Sequence, residues 1–164
     1  LPIMLYNVPG RTITSLSVET ILKLSEIENI VAVKEASGDM DFAKELIAAL
    51  PNDFIISSVD DGTCLELRAL GGRGVVSVCS HILPRQVVAW FQQEMPTAAI
   101  EDFKKYEDLI NTLSIWPNPI PVKAALKTLG LIKTDEVRLP LVSLNMGHRR
   151  SIEEKLRSFE GQLL

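Results

Sequence analysis

Ile30-Val31-Ala32-Val33-Lys34-Glu35 is the stretch whose reading decides how this chain folds. Its four leading apolar residues, three of them β-branched, make a run suited to a strand buried on both faces. The run then stops on a lysine. Comparable runs flank it: Ile3–Tyr6 before it, and Phe54–Ile56 and Val75–Val78 after it. Their starts lie roughly 20 to 27 residues apart, the length of one strand–helix unit in an α/β protein.

Helical patterns fill the intervals. After Tyr6 comes a turn, Asn7-Val8-Pro9-Gly10. Ser17 reads as an N-cap, with Glu19 placed where the helix dipole favours a carboxylate and Val18, Ile21 and Leu22 on one apolar stripe. Phe42, Leu46, Ile47 and Leu50 mark a second helix ended by Pro51. Leu67 and Leu70 mark a third, stopped by Gly71-Gly72. Beyond Val78 the rhythm changes. Pro84 opens a helix to about Glu94, which Pro96 breaks, and a long amphipathic helix is predicted from about Thr97 to Ser114. Pro117–Pro121 must be extended or turning. Val122–Leu129 reads as a helix ended by Gly130, and Ser151 as the cap of a last helix to about Phe159.

The order is therefore βαβαβαβ followed by a helical module. Periodicity leaves two architectures open, a doubly wound sheet and half of an eight-stranded barrel. No glycine-rich phosphate loop follows the first strand, which favours the half barrel. Residues 1–83 are assigned to the half barrel. Residues 84–164 are assigned to the last barrel helix and a C-terminal helical domain.

Composition narrows the function. The 164 residues are 46% hydrophobic and 23% charged, with a net charge of -4, as expected of a globular protein without the basic face of a nucleic-acid binder. His148-Arg149-Arg150 reads as a solvated turn or helix end. No apolar run nears the ~20 residues of a spanning helix, and no signal peptide is discernible. Cys64 and Cys79 match neither a disulfide framework nor a metal site, so the cytosol is the expected compartment. The chain opens inside an apolar run without an initiator methionine, from which further sequence upstream is expected.

In α/β folds the chemistry gathers at the C-terminal ends of the strands. Those ends here carry Tyr6, Asn7 and Arg11; Lys34 and Glu35; Ser57, Ser58, Asp60 and Asp61; and, after Val78, Ser80 and His81. A lysine at the exit of a buried strand loses hydration, which favours the neutral amine that attacks a carbonyl. Tyr6 could relay protons to it, and Arg11 could clamp a carboxylate. Each also has a plainer reading: a lysine snorkelling outwards, a core tyrosine, a surface ion pair. Asp60 and Asp61 read more readily as caps of the following helix than as an acid/base pair. His81 stands alone.

Four ordered motifs carry a resemblance over essentially the whole chain. They are Tyr6-Asn7-Val8-Pro9-Gly10-Arg11-Thr12, Val33-Lys34-Glu35-Ala36-Ser37-Gly38-Asp39, Gly71-Gly72-Arg73-Gly74-Val75-Val76-Ser77-Val78 and Pro117-Asn118-Pro119-Ile120-Pro121-Val122-Lys123. Together they resemble the dihydrodipicolinate synthase family of pyruvate-dependent lyases and aldolases. The resemblance implies a TIM barrel with an appended helical domain, usually a homotetramer. It implies condensation of pyruvate with aspartate semialdehyde on the way to lysine and diaminopimelate. Lys34 would form the Schiff base and Tyr6 would give and take protons. Arg11 would hold the semialdehyde carboxylate, and the backbone at Val76 would line the pyruvate pocket. No metal or organic cofactor is implied.

N-acetylneuraminate lyase and keto-deoxy sugar-acid aldolases share the lysine and tyrosine; Arg11-Thr12 after Pro9-Gly10 favours the synthase. Two departures stand out. Val59 occupies a pocket position where the family usually has glycine, and a β-branched residue tolerates positive φ poorly. The chain also starts at what would be the fifth strand, so the family's pyruvate-binding threonine pair lies outside it. A truncated, inactive half barrel is thus the second reading of function, and a doubly wound binding module the third.

Overall fold

The computed structural model describes residues 1–93 and 96–164. It divides into two compact units, Leu1–Ser77 and Val78–Leu164.

The first unit is built on four parallel strands, β1 (Ile3–Asn7), β2 (Ile30–Glu35), β3 (Ile55–Ser58) and β4 (Gly74–Val75), paired in sequence order β1-β2-β3-β4. Helices α1 (Pro9–Thr12), α2 (Val18–Ser25), α3 (Met40–Ala49) and α4 (Cys64–Leu70) lie between them. The core joins Val33 and Ile56 of the sheet to Ile21 of α2, Ala43 and Leu46 of α3 and Leu67 of α4, with Leu5 packed against it. Ile21, Val33 and Leu46 are fully buried, each worth roughly 1.5–3 kcal/mol of apolar transfer. Strand order without reversal, and helices gathered on one core, are features of a barrel arc; a doubly wound sheet reverses its order and carries helices on both faces.

The caps explain where these helices start. Ser17 accepts from the Thr20 amide at 3.1 Å, as its sequence position predicts. Asp39 accepts from the Asp41 and Phe42 amides. Gly71, at φ +121°, ends α4.

Three expectations for this unit change. The strands are not all buried on both faces: in β1, Ile3, Met4 and Tyr6 are 44–46% exposed, because it is an edge strand whose Leu5 alone joins the helix-packed core. The fourth strand is two residues long, not Val75–Val78, although the Val76 amide prolongs its pairing by donating to the Ser58 carbonyl at 2.8 Å. The turn after Asn7 is the one-turn helix α1, started by Pro9.

The second unit is helical. A 3-10 turn (Cys79–His81) precedes α5 (Pro84–Gln92), α6 (Pro96–Lys104), α7 (Glu107–Leu113), α8 (Ile120–Thr128) and α9 (Met146–Ser158). The predicted end of α5 at Glu94 falls outside the described residues. Trp90 of α5 is fully buried and meets Phe103 edge-on at 5.1 Å and Tyr106 at 5.9 Å; its indole donates to Asp102 at 2.8 Å.

The single helix predicted over 97–114 is two. The Lys105 and Tyr106 amides bond three residues back, to Asp102 and Phe103, and this tightened turn separates α6 from α7. The helix after the proline-rich stretch begins at Ile120 rather than Val122, since Pro121 is tolerated in a first turn, where its missing N–H has no intrahelical acceptor. Asn145, not Ser151, caps α9 by accepting from the His148 amide. No helix of the described residues is long and apolar enough to cross a membrane.

Asp135 ties this unit together from the segment between α8 and α9. It accepts from Lys127 at 3.0 Å and from Arg149, whose Nε also donates to the Leu144 carbonyl. Burial alone would raise the Asp135 carboxyl, but the bonds from Lys127 and Arg149 outweigh it and hold the group below the ordinary carboxylate range. A depressed native value adds stability that is complete above the unfolded-state value of about 3.9 and is lost as pH falls through the native one. Asp135→Asn is therefore expected to cost about 1–3 kcal/mol at neutral pH. The gap to the unsubstituted chain should narrow below about pH 4. Urea denaturation of both chains across that range checks this, and a gap independent of pH would refute it.

Candidate functional site

Parallel register fixes the first row of the site. Tyr6 on β1 pairs with Lys34 on β2, Lys34 pairs with Ser57 on β3, and Ser57 pairs with Gly74 on β4. Paired residues in a parallel sheet point to the same face, and residues one step away point to the other. Leu5, Val33 and Ile56, the preceding row, belong to the helix-packed core. Tyr6, Lys34 and Ser57 therefore stand on the opposite face, near the C-terminal ends of their strands. Gly74 ends this row beside Ser57, and a Cβ there would meet the Ser57 hydroxyl oxygen at 3.4 Å, an ordinary contact.

Within the row, Lys34 and Tyr6 touch. The Lys34 Nζ lies 4.1 Å from the centroid of the Tyr6 ring, close enough for cation–π attraction when the amine is protonated. The contact is through the ring face. Lys34 is half-buried and Tyr6 is 46% exposed, whereas Ser57 is buried, so the row opens towards β1.

The next row is polar and buried. Asn7 follows Tyr6, Glu35 follows Lys34, and the two are themselves register partners. The Asn7 side-chain amide donates to Glu35 at 2.8 Å. Glu35 also accepts from the Ser37 amide. The Asn7 carboxamide oxygen accepts from the Leu16 amide at 3.0 Å, closing the loop that holds α1 and Arg11. Sequence reasoning noted both residues only as strand ends. Their pairing was available from the equal offset: each stands one place beyond a member of the Tyr6–Lys34 pair.

The remaining predicted residues take defined places. Arg11 lies exposed on α1; no contact joins it to Lys34 among the described residues. Val59 is half-buried, and its amide donates to the Glu35 carbonyl at 3.2 Å. It is not among the described residues with positive φ, which are Ile13, Leu164 and four glycines, so the backbone strain expected of valine there does not arise. Val76 is 42% exposed beside the end of β3.

The cap position of α4 falls to neither Asp60 nor Asp61. Thr63 holds the cap position without a side-chain bond, and Asp60 instead closes a turn by accepting from the Gly62 amide at 3.0 Å. His81 donates from Nδ1 to the Val78 carbonyl within its own turn, given the tautomer that carries the proton there. His148-Arg149-Arg150 lies in the first turns of α9, where Arg149 pairs with Asp135 and Arg150 with Glu154.

Comparison with known proteins gives a consistent match. The model of the dihydrodipicolinate synthetase family covers residues 1–159. The 4-hydroxy-tetrahydrodipicolinate synthase of Bdellovibrio bacteriovorus is 44% identical over 160 residues, 96% of this chain and 55% of its own length. Dihydrodipicolinate synthase from Aquifex aeolicus superposes with a TM-score of 0.92 at 36% identity, covering 99% of this chain and 57% of that one. The chloride-inhibited enzyme from Acinetobacter baumannii, solved in complex with pyruvate, gives 0.89 at 41% identity, with 96% and 55% covered. The chain spans about half the length of the curated relatives it matches. The structural relatives are TIM barrels, and the four parallel strands with their helices correspond to half of one, as the sequence predicts.

Cys64 is buried at the start of α4. Burial, reinforced by the charges of Asp61 and Asp60, pushes the Cys64 thiol up to about 12, so the nucleophilic thiolate is scarce at neutral pH. Folded protein treated with iodoacetamide at about pH 8.5 should leave Cys64 unmodified, and urea should expose it. Mass spectrometry reads the difference; rapid labelling in the folded state would contradict the assignment.

Proposed function

As this chain belongs to the dihydrodipicolinate synthetase family, we propose that Lys34 is the nucleophile of a pyruvate-dependent lyase that condenses pyruvate with aspartate semialdehyde. The observation that carries the reading is the Tyr6–Lys34 contact, an amine 4.1 Å from a phenol ring on paired strand ends. The pyruvate complex of the Acinetobacter baumannii relative supports the choice of first substrate.

The neutral Lys34 amine attacks the ketone carbon of pyruvate. Loss of water from the carbinolamine leaves an iminium bonded to Nζ. That cation draws electrons from the neighbouring methyl group, which gives up a proton and becomes an enamine. The enamine carbon then forms a C–C bond to the aldehyde carbon of the semialdehyde, whose oxygen takes the electron pair and a proton, and the restored iminium is cleaved from Nζ by water or by the substrate amine. Tyr6, on the adjacent strand, serves as proton donor and acceptor. Arg11, presented by α1, binds the semialdehyde carboxylate as a bidentate pair. The backbone at Val76 and the Val59 position line the pyruvate pocket. Assembly as a homo-oligomer in the cytoplasm, feeding lysine and diaminopimelate synthesis, completes the reading.

A chain that folds without turning over is the second reading, favoured by its span of about half the relatives' length. Incubation with pyruvate and borohydride, followed by intact-mass measurement, separates the two. The reading predicts a reduced pyruvate adduct that Lys34→Ala abolishes; a folded chain without adduct would overturn it. Arg11→Ala should leave the pyruvate adduct intact while slowing its consumption by aspartate semialdehyde on the order of 10-fold or more, the scale of a lost charge-assisted bond. Equal loss at both steps would remove Arg11 from the semialdehyde site.

A further inference from the structure

The buried row behind Tyr6 and Lys34 is wired as a unit. Asn7 is 2% and Glu35 6% exposed. The Glu35 carboxylate accepts from two donors, the Asn7 side-chain amide and the Ser37 backbone amide. The Asn7 side chain uses both of its ends, donating to Glu35 and accepting from the Leu16 amide. The backbones repeat the connection: the Ala36 amide donates to the Asn7 carbonyl at 2.9 Å, and the Val59 amide donates to the Glu35 carbonyl at 3.2 Å. Asn7 thus touches three segments at once: the end of β1, the end of β2, and the return of the loop bearing Arg11.

We propose that Asn7 and Glu35 are positioning residues, a hydrogen-bonded pair that sets the approach of Tyr6 to Lys34 and anchors the loop carrying Arg11. The proposal rests on Lys34 being the nucleophile, but its geometric half does not. The pair acts through the polarity of its bonds, and the position of its negative charge is secondary. Each member is next in chain to the residue it positions, so a change in the separation of Asn7 and Glu35 passes directly to Tyr6 and Lys34. A misplacement of about 1 Å at a reacting centre can cost on the order of 100-fold in rate.

The bonding pattern supplies its own test, because it can be inverted. Asn7→Asp sets one carboxylate against another. Glu35→Gln turns an amide against either the Asn7 amide or the Ser37 N–H. The double variant N7D/E35Q restores every bond. The new amide at position 35 donates to the new carboxylate at position 7 and accepts from the Ser37 N–H, and that carboxylate still accepts from the Leu16 N–H. Four chains are compared: the unsubstituted one, the two single variants and the double. Two readouts are taken on each, the rate of borohydride-trapped pyruvate adduct at saturating pyruvate, and the nuclear Overhauser contact between the Tyr6 ring and the Lys34 ε-methylene.

Both single variants should lose the ring–methylene contact and trap pyruvate about 10- to 100-fold more slowly. The double should regain the contact and recover to within about 3-fold of the unsubstituted rate, the non-additivity expected of directly coupled residues. A merely structural pair would change unfolding temperature but leave contact and trapping rate unmoved in the singles, which overturns the proposal. So does a double variant no better than the worse single. Should the singles fail to fold, a folded double with the contact intact supports the pairing, and an unfolded double overturns it. An unsubstituted chain that traps no pyruvate refutes the proposed function, and the Overhauser comparison alone then decides the positioning role.

Discussion

The register of β1 against β2 is the constraint on which the rest of the site depends. Parallel pairing sets Tyr6 opposite Lys34 and Asn7 opposite Glu35, so one alignment brings together an amine and a phenol and the buried pair behind them. A slip of one residue would turn every side chain of the strand to the other face. Leu5 would then leave the core, and Tyr6 would enter it. Register is therefore held from both sides, by Leu5, Val33 and Ile56 packing on the helices and by the Asn7–Glu35 bonds at the strand ends. The second hold is the more exacting. Breaking one bond of a buried charged acceptor leaves that acceptor unsatisfied, at a cost of about 1–3 kcal/mol or more, whereas a shifted methyl group is often accommodated.

Alternation along the strands divides the labour. One row carries the apolar side chains that bury area against α2, α3 and α4; the next carries Tyr6, Lys34 and Ser57 on the opposite face. An amine and a phenol can remain partly hydrated there without weakening the core, since stability is secured on the other side of the same backbone.

Much of this was legible in the sequence because it depends on local chemistry. The β-branched runs announced the strands, Ser17 announced its helix, and Lys34 stood out by ending an apolar run. What escaped depends on tertiary partners. The break between α6 and α7 has no proline or glycine to mark it; it comes with a buried Tyr106 that packs against Trp90 and stacks on Phe159 at 5.6 Å. Ser151 resembles a cap, yet Asn145 lies nearly two turns earlier and starts the helix first. The exposure of β1 was invisible for a related reason: an apolar run of Ile, Met and Leu reads as buried whether or not a layer covers both of its faces.

Val59 shows how local a sequence rule can be. Glycine is chosen where the backbone needs positive φ or close approach, and a valine in its place suggests strain. Here the residue keeps an ordinary φ and spends its amide on the Glu35 carbonyl. The side chain becomes the only difference from glycine, and it stands directly after Ser58 at the end of β3, in the loop that leads to Asp60 and Asp61. Its effect is thus one of volume rather than of backbone conformation. The Val59 amide bonds the carbonyl of the same Glu35 whose carboxylate holds Asn7. Positions 7, 35 and 59, widely separated along the chain, are thus joined by hydrogen bonds at the strand ends.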